Sequence, residues 1–144
     1  MSRQEQREAT VDAVIVGAGF SGLYLLHRFR KLGLRTRVYE RGQGVGGTWY
    51  WNRYPGARCD VESMQYSYSF DEDLEQEWHW PEKFSAQPDI LAYANHVADR
   101  LNLRKDIDFE VEVTAAHFNE KSRRWLIETD EGERVKAQFF VMAT

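Results

Sequence analysis

The sequence predicts a mixed α/β fold of one domain, and three observations carry that expectation. A short apolar run, Val11 to Val16, ends in glycine and is bounded as a buried parallel strand is. A helical period starts at Ser21 and stops at Gly33, and Thr36 to Glu40 then reads as a second strand. Strand, helix and strand within about 30 residues make a βαβ unit. The length sets the scale: 144 residues with 42% hydrophobic content hold one core and hardly two.

Taken in order, residues 1–10 are polar and read as a flexible N-terminus, with 11–144 as the folded segment. On the first helix the pattern places Leu25, Phe29 and Leu32 on one face, with Leu26 beside them. Gly33 suits the position just past a helix end, and Arg28, Arg30 and Lys31 suit its negative pole. From Arg41 to Phe84 no period is sustained, and Gly42, Gly44, Gly46, Gly47, Pro55, Gly56 and Pro81 interrupt the chain. A long excursion of this kind within a domain is usually functional. A short helical piece is expected around Asp71 to Gln76. Gln87-Pro88-Asp89 opens a clearer helix, with Ile90, Leu91, Ala94, Val97, Ala98 and Leu101 facing inward. Ile107, Phe109, Val111 and Val113 alternate with polar residues as one half-buried strand. Trp125 to Thr129 and Val135 to Met142 follow, joined by a turn at Asp130-Glu131-Gly132, and complete a β-meander. The chain stops at Val141-Met142-Ala143-Thr144, directly after an apolar run. Termini are ordinarily polar and frayed, so this one reads as a cut.

Composition excludes several classes. No apolar run approaches the roughly 20 residues of a membrane span, and no hydrophobic secretory segment opens the chain. One cysteine rules out an internal disulfide framework and suits a reducing, cytoplasmic compartment. A net charge of −4 gives no support for nucleic-acid binding. The average hides an asymmetry, however. Val11 to Arg58 carries eight Lys/Arg and two acids, whereas Cys59 to Glu82 carries eight acids and no Lys or Arg. Ten of the twenty aromatics lie between Trp49 and Phe84.

Two constellations point to chemistry. Gly17-Ala18-Gly19-Phe20-Ser21-Gly22 follows the first strand and opens the first helix, and Glu40 ends the next strand, 18 residues after Gly22. Together these make a Rossmann-like dinucleotide fingerprint. Gly17 permits the turn, Gly19 lets backbone approach a pyrophosphate, and Gly22 lets helix and strand pack closely. A carboxylate at Glu40 would accept from ribose hydroxyls and repel a 2′-phosphate, so FAD or NAD fits this site better than NADP. The second stretch is Gly46-Gly47-Thr48-Trp49, running on to Asp60. Trp49, Trp51 and Tyr54 are placed to flank a flat ring, with Arg53 and Arg58 meeting an anion. An aromatic loop packed on the surface, or facing a partner, is the other reading of the same residues. Asp60 divides evenly between a surface cap and a carboxylate that tunes an arginine or a bound cofactor. Cys59 reads as an inert thiol, and His27, His79, His96 and His117 lack metal-ligand spacing, so no metal is assigned.

These residues resemble the flavoprotein Baeyer–Villiger monooxygenases, of the cyclohexanone and phenylacetone monooxygenase type. Gly46-Gly47-x-Trp49-x-x-x-x-Tyr54-Pro55-Gly56-x-x-x-Asp60 meets every fixed position of a family signature. Val14 to Tyr24 and Tyr66-Ser67-Tyr68-Ser69-Phe70 extend the likeness. The resemblance implies FAD, reduction by NADPH, and activation of O2 as a C4a-peroxyflavin that converts a ketone to an ester or lactone. It implies that Phe20, Ser21 and the glycine loop hold the FAD pyrophosphate, and Glu40 the adenosine ribose. By the same likeness Gly47, Thr48 and Trp49 lie along the flavin, Tyr66 contacts FAD, and the Val113 backbone meets the adenine. Asp60 would lie near the isoalloxazine and the nicotinamide, with Arg58 and Cys59 at the nicotinamide's border. Enzymes of this family carry a second glycine-rich site for NADPH that is not in this chain. The chain therefore reads as the N-terminal FAD-binding segment of a flavoprotein with two dinucleotide-binding domains. An N-hydroxylating flavin monooxygenase and a non-catalytic dinucleotide-binding module are the competing readings.

Overall fold

The computed structural model describes residues 8–144. They run β1 (Glu8–Thr10), β2 (Ala13–Val16), α1 (Phe20–Lys31), β3 (Thr36–Glu40), α2 (Thr48–Trp51), α3 (Glu72–Glu77) and α4 (Gln87–Arg100). Then follow β4 (Ile107–Phe109), β5 (Val113–Asn119), β6 (Arg124–Thr129), β7 (Arg134–Ala137) and β8 (Phe139–Met142). One sheet is parallel throughout, in the order β4-β3-β2-β8; the other, β1-β7-β6-β5, is an antiparallel meander with β1 added in parallel to β7. The expected α/β fold with its βαβ unit and meander is present.

Alternation along the central strands builds three layers. Successive side chains point to opposite faces of a sheet. Ile15 and Val38 pack with Leu23, Leu26, Ala94 and Ala98 on the side of α1 and α4, whereas Val14 and Tyr39 pack with Ile127, Val135 and Ala137 of the meander. Both faces are covered, which is why β2 is an unbroken apolar run. Arg37 reaches the Asp108 carboxylate on the neighbouring strand at 2.5 Å and, across the layers, Glu133 at 2.6 Å, and the Tyr39 hydroxyl donates to Glu133 at 3.0 Å.

Four expectations need correction. Of the N-terminus expected to be flexible, residues 1–7 lie outside the described residues, but Glu8–Thr10 is a strand because β7 offers it a partner edge. The α1 face that packs inward centres on Gly22, Leu23 and Leu26. Leu25 and Phe29 flank it, and Leu32, as the helix's closing residue, is 62% exposed. The single strand expected over Ile107 to Val113 is two strands in two sheets. Glu110 turns the chain between them at φ 58°, its amide bonded to the Gly42 carbonyl. Val135 to Met142 likewise divides at Gln138, whose amide and that of Phe139 both donate to the Asp12 carbonyl. Period 2 continues through such crossings, so the pattern alone does not reveal the change of sheet.

The excursion between β3 and α4 folds over one end of the parallel sheet. Its aromatics gather round Tyr93, with Phe20, Tyr68, Trp78 and Trp80 all in ring contact. The Tyr93 hydroxyl accepts from the Tyr68 amide at 2.7 Å, and the Tyr68 hydroxyl donates to the Phe20 carbonyl. Asp71 caps α3 through the Leu74 amide at 2.9 Å.

His27 sits at the edge of this cluster, stacked on Phe70 with centroids 4.6 Å apart, and its buried Nε2 has no hydrogen-bond partner. Burial, with Lys31, Arg30 and Arg28 nearby and only Asp71 opposing, holds its imidazole below the ordinary value of 6.5. In the unfolded chain His27 therefore binds a proton at a higher pH than in the fold. Stability is expected to fall as pH drops below about 6.5, because protonation favours the unfolded state. The test is the urea midpoint at pH 7.5 and 5.5 in wild type and His27→Phe. A pH dependence undiminished in the variant removes His27 from the account.

Candidate functional site

The end of β2 meets α1 through glycines that no other residue replaces. Gly17 takes φ +102°, and a Cβ there would stand 2.6 Å from the Ala143 carbonyl oxygen. A Cβ on Gly22 would stand 1.9 Å from the Gly17 carbonyl oxygen. Gly19 precedes the first helical residue; no side chain caps this end and no acid lies in the first turn. The leading amides of a twelve-residue helix thus face outward together with its positive pole, an arrangement that receives an anionic group.

The second glycine stretch comes to the same place. Gly46 and Gly47 take φ +122° and +54°, and the Gly46 amide donates to the Ala18 carbonyl at 3.0 Å. A Cβ on Gly47 would lie 3.0 Å from the Gly19 Cα. Two backbones without side chains therefore line one cradle. Glu40 closes it from below. Only 5% exposed, its carboxylate accepts from the Ala18 amide at 2.8 Å and the Gly42 amide at 2.7 Å. A carboxylate group has about four acceptor positions, so these two amides do not exhaust it. The Glu40 carbonyl accepts from the Val111 amide at 3.1 Å, which leads β5 away at Val113 beside this end of β3.

The aromatic segment divides. Trp49 meets Tyr66 edge-on at 5.7 Å, and Tyr66 meets Phe20 edge-on at 5.6 Å, so these three gather at the start of α1. Burial pushes the Tyr66 hydroxyl above its ordinary range. Trp51 and Tyr54 do not join Trp49 round a common ring. Trp51 packs on Tyr50 with Arg41 over its face, and Tyr54 is 63% exposed. Both expected arginines are exposed, and each already makes a bond within the chain. Arg53 bonds the Tyr50 carbonyl at 2.7 Å, while Arg58 pairs with Glu82 at 2.7 Å and with the Phe84 carbonyl. Cys59 is 5% exposed and its amide donates to the Ser85 carbonyl, whereas Asp60, the next residue, is exposed. A cleft of about 420 Å³ lined by Ser63, Met64, Trp78, Trp80 and Lys83 touches none of the glycines. Glycine geometry, not cavity volume, marks the cradle.

Residues 15–79 match a family described as an NAD(P)-binding Rossmann-like domain. An acetone monooxygenase (methyl acetate-forming) from Gordonia sp. (strain TY-5) is 50% identical over 132 residues, 92% of this chain and 25% of that protein. A Baeyer-Villiger monooxygenase from Pseudooceanicola batsensis is 49% identical over 134 residues, again 92% and 25%. The chain matches the N-terminal quarter of Baeyer–Villiger monooxygenases. A solved steroid monooxygenase bound to NADP, 58% identical, superposes with a TM-score of 0.92 over 94% of this chain and 26% of its own. The chain thus spans about a quarter of the length of these curated relatives. The likeness also reaches a phenazine N-monooxygenase from Lysobacter antibioticus, 44% identical over 92% of this chain and 25% of that protein. Over this segment, then, similarity does not separate Baeyer–Villiger enzymes from those named for nitrogen.

Sequence reasoning missed three parts of this region: Gly42, whose amide completes the Glu40 clamp, Gln87, and a buried pair of serines. Gln87 is 8% exposed; its amide donates to the Ala57 carbonyl and its side chain to the Trp49 carbonyl, tying both ends of the signature. The available signal was a glutamine at the start of an otherwise amphipathic helix, too common to single out. Among the described residues no helix is long and apolar enough to cross a membrane.

Proposed function

We propose that this chain is the FAD-binding part of an NADPH- and O2-dependent Baeyer–Villiger monooxygenase that converts ketones to esters or lactones. The observation that carries the proposal is the cradle, in which an uncapped helix start, two facing glycine stretches and a doubly bonded Glu40 meet. Its residues fit a dinucleotide. Gly17, Gly19, Phe20, Ser21 and Gly22 would hold the pyrophosphate, and Glu40 the adenosine ribose. Gly47, Thr48, Trp49 and Tyr66 would border the flavin, and the Val113 backbone the adenine. Asp60 would stand near the flavin and nicotinamide, with Cys59 beside it. Arg58 would join them on leaving Glu82. When bound, FAD supplies the redox chemistry by accepting hydride from NADPH and reacting with O2; the protein supplies position and charge. NADPH would be held mainly by chain beyond Thr144. The single, buried Cys59 supports a cytoplasmic setting.

The test uses the full-length polypeptide loaded with FAD. Expected are bleaching of the flavin by NADPH and ketone-dependent ester formation, detected by mass. A flavin that NADPH does not reduce sinks the proposal. The phenazine N-monooxygenase relative supports a second reading, oxygenation of nitrogen; product analysis with ketones against N-heterocycles separates the two.

Gly19 isolates the cradle from the fold. The nearest atom to a Cβ there is the Gly47 Cα at 3.4 Å, an ordinary contact, so Gly19→Ala costs the chain no more than about 1 kcal/mol as a poorer helix cap. A methyl group between the two glycine stretches is nevertheless expected to weaken flavin binding at least about tenfold. Unchanged flavin affinity would remove the phosphate role from this loop.

A further inference from the structure

Beside Asp60 lies a buried polar pair that the proposal above leaves unused. Ser63 is 2% exposed and Ser85 is fully buried. Their hydroxyl oxygens are 2.7 Å apart, and the Ser85 amide donates to Ser63 Oγ at 2.8 Å. Ser63 Oγ also lies 2.8 Å from the Glu82 carbonyl oxygen and 3.0 Å from that of Lys83. Two arrangements satisfy both hydroxyls: Ser63 donates to Ser85 Oγ and Ser85 to the Glu82 carbonyl at 3.3 Å, or Ser85 donates to Ser63 Oγ and Ser63 to Glu82.

Buried hydroxyls are costly unless fully bonded, and a pair of alanines would make no such demand. What the bonds define is the path of the chain. The Cys59 amide donates to the Ser85 carbonyl at 3.1 Å, and the Ser63 amide donates to the Lys83 carbonyl at 2.7 Å. These anchors bracket Asp60, Val61 and Glu62, which are all exposed. Asp60 thus sits on a short arch pinned at both feet, and the serine pair is the pin shared between them.

We propose that Ser63 and Ser85 are positioning residues that hold Asp60 where the bound cofactors meet. The inference rests on the role given to Asp60 above. Ser85→Ala is the decisive variant, because the Ser85 amide keeps its acceptor on Ser63. Ser63→Ala removes that acceptor as well and is expected to act more strongly. In the full-length, flavin-loaded polypeptide, Ser85→Ala is expected to slow reduction by NADPH about tenfold, by misplacing a group that must be oriented. Flavin content should stay at the wild-type level, and hydrogen exchange over residues 57–63 should quicken. In an Asp60→Ala background the same change should slow reduction by less than about twofold, since its effect passes through Asp60. Equal slowing in both backgrounds overturns the proposal. So does Ser85→Ala with unchanged reduction and exchange while Asp60→Ala alone is slow. If Asp60→Ala reduces as fast as wild type, the role of Asp60 itself is wrong and the serine proposal falls with it.

Discussion

Gly22→Ala is expected to destabilise the chain by about 3 kcal/mol or more and to abolish flavin binding. The added Cβ would meet the Gly17 carbonyl oxygen at 1.9 Å and the Gly17 carbonyl carbon at 3.0 Å. Both are backbone atoms, so no rotamer change relieves the contact. Relief requires α1 to move off the end of β2 by on the order of 1 Å, and close-packed interiors resist such shifts. The residues that would lose packing are Leu23 and Leu26, which are almost wholly buried against Ile15 and Val38. Movement there also turns the leading amides of α1 away from the cradle, which links the loss of stability to the loss of binding. Gly33→Ala is the control. Its φ is +75° with nothing within 4 Å of a Cβ, so the cost is backbone strain of about 1 kcal/mol. Urea midpoints of the two variants decide the matter. If Gly22→Ala unfolds no more readily than Gly33→Ala, close packing of helix on strand is not what this glycine serves.

The contrast between Gly19 and Gly22 shows how far a glycine motif can be read from sequence. The spacing of Gly17, Gly19 and Gly22, after an apolar run and before a helical period, was legible together with Glu40 at the end of β3. These features are local or periodic. The division of labour among the glycines was not legible, because it depends on what lies opposite each one: the Gly17 carbonyl for Gly22, but only another glycine, Gly47, for Gly19. The same limit explains the two strands that changed sheets. Alternation continues smoothly across Glu110 and Gln138, and the crossings are decided by partners distant in sequence, the Gly42 carbonyl and the Asp12 carbonyl. Arg58 illustrates a further limit. An arginine in an aromatic signature suggests an anion, yet the chain's own Glu82 lies within 2.7 Å.

Glu40→Gln is expected to weaken both the chain and its hold on flavin. The carboxylate spans two loops, with one oxygen on the Ala18 amide in the first glycine loop and the other on the Gly42 amide that opens the excursion. Glutamine has the same length but offers one oxygen and one NH2. Whichever way it turns, a donor faces a donor, and a buried amide loses its acceptor at a cost of about 1–3 kcal/mol. The remaining bond also loses its charge assistance, which roughly halves its strength. Flavin affinity is expected to fall about tenfold or more, because the acceptors left for ribose hydroxyls diminish at the same time. Glu40→Asp separates these effects: it keeps the charge, but a side chain one methylene shorter does not reach both amides. Urea midpoints and flavin affinities of both variants provide the test. If Glu40→Gln loses stability yet binds flavin as tightly as wild type, the carboxylate is a clamp between loops and has no part in holding the ribose. If stability is unchanged as well, the clamp itself is refuted. Loss of both, with Glu40→Asp weakened in stability but retaining more of the affinity, is the result that a carboxylate serving fold and ligand together requires.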